Sequence, residues 1–340
     1  MEAGQDGGGD PDGQGKNQPG EDQSHIQAPF DGLGARRTNK YYRGYNDSGT
    51  GTVKMKVVSF SLEEGNKYFG RIDGKRFYIG SRVPYLGGKG LANSSGTALQ
   101  KYDRRQFRDQ YGFWADFIHP TAMAEGALFH TLNTYDRAFF TFSFLQFAAH
   151  VPNGDFVVYM RALLKLPSAA EYFPDLAIVG DRICRLLDSG PVQLESDVST
   201  AGLCDYLNPT VMEIEDTEVI QAAKFVHWAQ NDALNRQMQI EVGIAHFRRN
   251  MAQYAQRYSL DGAPAAICLV IADIRHQGRA KSAAIVSALA NPKPLDALLD
   301  LGSALYPERL KVLRREIKAL TTEGTFGGLK YSVAKSEFVN

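Results

Sequence analysis

Residues 68–79 read Tyr-Phe-Gly-Arg-Ile, then Asp73-Gly74, then Lys-Arg-Phe-Tyr-Ile. A two-residue Asp-Gly step between apolar runs is a strong hairpin signal, because both central residues can adopt positive φ. The chain must therefore contain an antiparallel ladder here. Just before it, Val53, Met55 and Val57 alternate with Thr52, Lys54 and Lys56, which predicts a half-buried strand. Together these signals predict a small β module over residues 30–96. Across 36–90 there are twelve lysines and arginines against four acids. They are interleaved with Tyr41, Tyr42, Tyr45, Phe69, Phe77, Tyr78 and Tyr85. Such a surface could stack on sugars or bases and attract an anionic polymer. The plainer reading makes the aromatics a small core and the lysines its wet face. The glycine-rich stretch 86–96 does not match GxxxxGK[ST] and is read as a linker.

On either side the composition changes. Residues 1–29 are Gly, Asp, Gln, Pro and Asn with almost nothing apolar, so they are expected to form a disordered leader. The single GGGDPDG string lacks the repetition of calcium-binding glycine repeats. Beyond residue 97 the pattern is mainly helical. A helix over 102–118 is expected to end at His119-Pro120. A short helix then starts on Pro120 and runs to Glu125, with Gly126 as its C-terminal cap. Further helices are predicted at 154–166 and 176–188. Residues 191–220 carry seven acids and no base, and read as a loop followed by an acidic helix start. A long helix over 217–258 has its natural break near Gly243. Residues 263–274 are apolar almost all round, as in a central buried helix closed by Gly278. An amphipathic helix covers 307–321, and the segment 323–340 reads as a loose tail. The expected class is α+β, a mainly helical domain over 97–322 with a short hairpin, preceded by the β module.

Chemistry concentrates between residues 125 and 150, EGALFHTLNTYDRAFFTFSFLQFAAH. Glu125 falls on the last turn of a helix, with a sharp turn after it. Phe140, Phe142 and Phe144 share one face of a strand, and Thr141 and Ser143 the other. Glycoside cleavage needs a protonated acid at the leaving oxygen, and a second carboxylate or a positioned water on the opposite face of the sugar. Met123, Leu128 and Phe129 would give Glu125 the apolar surroundings that keep an acid protonated. Asp136 lies among Asn133, Thr134, Tyr135 and Arg137, a polar setting for an ionised partner.

This pattern resembles the lysozyme-like superfamily. Phage-type lysozymes carry a helix-borne Glu-Gly, then Asp, then Thr, spaced Glu-x8-Asp-x5-Thr on a hairpin. Here Glu125-Gly126, Asp136 and Thr141 are spaced Glu-x10-Asp-x4-Thr. Chitosanases keep Asp-x4-Thr with a longer gap after the Glu. Lytic transglycosylases follow their Glu with Gly-Leu-Met-Gln, and Ser143-Phe144-Leu145-Gln146 occupies a similar place. Ser143 stands where the lysozyme pattern has glycine. The resemblance covers residues 100–320 in outline, with its motifs confined to 125–150. It implies that Glu125 is the general acid, that Asp136 stabilises the sugar cation or activates water, that Thr141 holds the water, and that Gln146 contacts the sugar. Ser143, Tyr135 and Asp273 are further candidates for substrate contact.

The resemblance implies hydrolysis of a β-1,4-linked amino-sugar polymer, peptidoglycan first and chitosan second, with no cofactor or metal. An alternative function is non-catalytic binding of cell wall or nucleic acid through the basic aromatic module. His130 and His150 match no standard ligand spacing. Trp114 and Trp228 could stack on sugars, although at helical positions they read more readily as core. Cys184, Cys204 and Cys268 are too scattered for a disulfide framework. The longest apolar run, 263–272, is far short of the roughly 20 residues of a membrane span. The N-terminus has no basic-then-apolar pattern. The expectation is synthesis in the cytoplasm, with action at the wall or periplasm after delivery by a lysis or secretion system.

Overall fold

The computed structural model describes residues 54–94 and 100–340. The expected leader, Val53, and Tyr41, Tyr42 and Tyr45 lie outside the described residues. The protein is mixed α+β, with an antiparallel seven-stranded sheet followed by a mainly helical region. It folds as two compact units. One comprises the described residues of 54–103 together with Glu125–His246, and the other Arg104–Ala124 with Phe247–Asn340.

The sheet is a meander in which each strand pairs antiparallel with the next. Its strands are β1 (Ser59–Glu63), β2 (Lys67–Ile72), β3 (Lys75–Tyr85), β4 (Gly88–Asn93), β5 (Leu132–Asn133), β6 (Thr141–Phe142) and β7 (Phe147–Ala148). Asp73 and Gly74 turn β2 into β3 with φ of 50° and 77°, as their sequence predicts. Of the strand expected from Val53 to Val57, the described residues 54–57 form no strand. Ser59 already faces Arg71, so the ladder runs out at the Asp73 turn, and Lys56 N donates instead to Glu171 O at 2.7 Å. The described part of the expected linker, residues 86–94, is not a linker. Leu86 and Gly87 make a second turn with positive φ, and β4 follows. Its glycines hide the strand from propensity, and close approach explains them. A Cβ on Gly90 would sit 2.7 Å from Thr134 Oγ1, and one on Gly88 would sit 2.1 Å from Val211 O. The β module and the hairpin of residues 132–148 are therefore one continuous sheet.

Between β4 and β5 the chain forms α1 (Arg108–Tyr111) and α2 (Phe113–Ala124). The predicted break at His119-Pro120 is absent. Pro120 lies inside α2, and the break falls at Gly112, where φ is 57°. A proline within a helix costs about 3 kcal/mol. Here the buried face of Trp114, Phe117, Ile118 and Ala122 outweighs that cost.

After β7 come α3 (Asp155–Leu163), α4 (Ala169–Tyr172), β8 (Leu176–Val179), β9 (Arg182–Leu187), β10 (Gly190–Gln193), α5 (Ala201–Leu207), α6 (Asp216–Asn231) and α7 (Ala233–Arg257). The helix expected at 176–188 is the β8–β9 hairpin, turned at Gly180 with φ of 61°. The long helix breaks at Asp232 instead of Gly243. Asp232 accepts hydrogen bonds from Ser168 Oγ (2.7 Å), Trp228 Nε1 (2.9 Å) and Leu234 N (2.8 Å), and so caps α7. Gly243 lies inside α7, and glycine fits there because a Cβ would lie 2.5 Å from Leu145 Cδ1. The first unit's core is aromatic: Phe140, Phe142, Phe156 and Tyr159 surround Phe225, with ring centroids 5.1–6.5 Å away.

The second unit continues with α8 (Ala265–Gln277), α9 (Ser282–Leu289), α10 (Pro294–Asp300) and α11 (Pro307–Thr322). Gly278 caps α8 in the left-handed region, as predicted. The tail is not loose. β11 (Lys330–Ser332) and β12 (Glu337–Val339) form a hairpin whose Phe338 packs 4.9 Å from Phe117 and 5.3 Å from Trp114. No helix among the described residues is long and apolar enough to cross a membrane.

Candidate active site

Glu125 is the first residue beyond α2, and Gly126 turns the chain there with φ of 89°. It is half-buried, and the next apolar residues, Leu128 and Phe129, are buried. Phe129 packs edge-on against Phe144 at 5.2 Å, which ties the turn to the end of the β6 segment.

Asp136 lies on the loop between β5 and β6. Its Oδ2 accepts from Asn133 Nδ2 (3.0 Å) and its Oδ1 from Ala138 N (2.9 Å), so both oxygens are oriented. The other end of the Asn133 amide accepts from Tyr135 N at 3.1 Å. Asn133 is also the cross-strand partner of Thr141. Cross-strand partners share a face of the sheet, so the hairpin brings Asp136, Asn133 and Thr141 into one group. Sequence reasoning missed Asn133. Its position three residues before an acid in a turn was the available signal.

The other predicted contacts behave differently. Thr141 is buried, so its side chain does not lie open to solvent. Ser143 is fully buried with φ of 95°, and its Oγ accepts from Leu145 N at 3.3 Å. It shapes a turn at a backbone conformation that favours glycine. Gln146 Nε2 donates to Ser143 O at 2.9 Å, within the same turn. The half-buried Tyr135 ring lies 5.4 Å from Tyr85, and burial raises the pKa of its phenol. Asp273 belongs to the second unit and lines no cleft. It is fully buried against Arg279, Arg309 (2.7 Å) and Thr121 Oγ1 (3.0 Å). Trp114 and Trp228 are core residues.

Backbone strain gathers in this segment. Ala127, Phe139, Ser143 and Gln146 all have positive φ. Such residues are costly unless their surroundings over-determine them, and they cluster at functional sites. A depression of about 580 Å³ opens beside the Asp136 loop, lined by Phe139, His150, Pro152, Val198, Thr200 and Asp205 among others. Burial lowers the His150 pKa, Arg137 lowers it further, and Asp136 opposes both. Burial takes His130 down to about 4, so it is uncharged at neutral pH.

The basic module is largely neutralised. Lys54 and Lys56 pair with Asp73, Lys67 with Glu64, Arg76 with Glu63 and Lys89 with Glu213. Arg76 covers the Phe69 ring at 3.5 Å, and Phe77 packs on His227 at 5.2 Å. Its described aromatics thus mostly have partners within the protein. No protein-family profile, curated protein or solved structure matches the chain.

Proposed function

We propose that this protein is a glycoside hydrolase acting on a β-1,4-linked amino-sugar polymer, with peptidoglycan as the first substrate and chitosan as the second. The observation that carries the reading is the Asp136 carboxylate. It is oriented by Asn133 and Ala138 on the hairpin that directly follows the Glu125 helix end. In this reading Glu125 gives its proton to the leaving oxygen as the bond from that oxygen to the anomeric carbon breaks. Asp136 stabilises the positive charge that develops on the sugar. It then takes the proton of the water that adds to the anomeric carbon. Thr141 supports Asn133, and Asn133 aims Asp136. Tyr135 and the depression beside Phe139 offer surface to flanking sugars.

The left-handed residues of 127–146 support the same reading, because a loop held in costly conformations needs a reason to persist. Binding through the basic module has less behind it, since five of the eight described cations over 54–90 are ion-paired. The test is release of reducing ends from purified peptidoglycan, and separately from chitosan. Loss of a general acid costs about 10²–10⁴ in rate, so Glu125→Gln and Asp136→Asn should each remove most of the activity. Wild-type protein that leaves both polymers intact from pH 4 to 9 overturns the reading.

A further inference from the structure

We propose that Glu218 is the proton-controlled anchor of the loop that carries Asp136: as a neutral acid it holds Thr134, and its ionisation releases residues 134–138. This rests on the proposed function only for its consequence in catalysis. The structural claim stands alone.

Glu218 lies in the first turn of α6, on the face that also buries Val219, Ala222 and Phe225. It has no solvent exposure. The Thr134 hydroxyl donates to its Oε1, while its Oε2 has no hydrogen-bond partner. A buried carboxylate oxygen without a donor is far costlier than a buried O–H. The geometry therefore fits a protonated acid. Burial raises the pKa to about 8, although Thr134 and the Leu91 and Glu215 N–H groups favour the anion. The Glu215 charge, one turn earlier, opposes ionisation of Glu218. From β4 it meets the Leu91 backbone and from the loop the Thr134 hydroxyl, neither of which titrates.

Thr134 links this acid to the site. Its Oγ1 accepts from Leu91 N (2.6 Å), its N donates to Leu91 O (3.0 Å), and its O accepts from Asn208 Nδ2 (2.9 Å). Asn208 also donates to Phe139 O at 2.8 Å, at the other end of the loop. Tyr135 and Asp136 come next in the chain. Glu218, Thr134 and Asn208 thus fix both ends of the segment that aims Asp136.

The sign of the pH effect follows from linkage. When the loop opens, Glu218 meets water and returns towards the ordinary carboxyl value near 4.3. Opening therefore releases a proton between that value and about 8. The opening equilibrium rises by at most about tenfold per pH unit in this window and levels off above it.

The test is amide hydrogen exchange of residues 134–139 in the full chain at pH 5 to 9, corrected for intrinsic exchange. Wild-type protection should fall as pH rises to about 8 and then flatten. Glu218→Gln, which stays neutral, should show no such slope. Thr134→Val should loosen the segment at every pH, and it covers the case in which Glu218→Gln fails to fold. Wild-type protection independent of pH, or a Glu218→Gln slope equal to the wild-type slope, overturns the anchor. So does a Thr134→Val variant as protected as wild type. None of these readouts needs enzymatic activity, so failure of the glycosidase reading would be seen separately.

Discussion

Glu218 in one unit and Asp273 in the other are both completely buried, and the two carboxyls are handled in opposite ways. Asp273, on α8, meets Arg279, Arg309 and Thr121, and its pKa is lowered although burial alone would raise it. Glu218, on α6, meets the Thr134 hydroxyl and backbone N–H groups but no cation, and burial raises its pKa to about 8. Equal burial therefore does not set the charge. Two guanidinium groups keep an acid ionised where neutral donors alone do not. The charged acid makes a static clasp, and the neutral one makes a clasp that pH can open.

The comparison can be broken most sharply at Asp273. Asp273→Ala leaves two buried arginines without their shared anion, and about 3–5 kcal/mol of stability should be lost at pH 7. Urea denaturation measures it, and a loss under 1 kcal/mol would contradict the clasp.

The two acids should also respond to pH in opposite windows. Asp273 has a depressed pKa, so its contribution is complete above the unfolded value near 3.9 and is lost on acidification below it. Glu218 has a raised pKa, so its contribution is complete below the unfolded value near 4.3 and declines as pH climbs to about 8. The decline is at most about 1.4 kcal/mol per pH unit. Urea midpoints of wild type and Glu218→Gln between pH 5 and 9 should diverge, with the variant flatter.

A smaller effect is expected at Gly90, where an added Cβ meets Thr134 Oγ1 at 2.7 Å and Tyr135 Cα at 2.8 Å. Gly90→Ala should cost about 1–3 kcal/mol and should loosen the same loop. Least costly is Thr134→Val, about 1 kcal/mol for the lost hydrogen bonds, with its exchange signature confined to residues 134–139.

What could be read from the sequence was local. Asp73-Gly74, Gly126, Gly278 and the helix at Pro307 carry their own conformational instructions, and each is found in place. The polar turn at Asp136 was legible because Asn133, Thr134 and Arg137 surround it in the sequence. β4 was hidden because its glycines answer to Thr134 and Val211, residues far along the chain. The β8–β9 hairpin is hard to tell from a helix because its one turn signal is the Gly180-Asp181 step between short apolar runs. Glu218 could not be singled out by its own surroundings. It looked like one more acid in an acidic stretch, and its partner Thr134 is 84 positions away. Asp273 failed for the same reason: its arginines lie 6 and 36 residues on. Periodicity reports which face is buried, but it does not report which distant charge waits there.

The central claim is tested most directly by the reducing ends that wild type and Glu125→Gln release from peptidoglycan and from chitosan, with folding matched by circular dichroism. The account predicts release from one polymer by the wild type and a loss of about 10²–10⁴ in rate in the variant. Undiminished release by Glu125→Gln would place the acid elsewhere, and no release by the wild type from either polymer would contradict the glycosidase assignment.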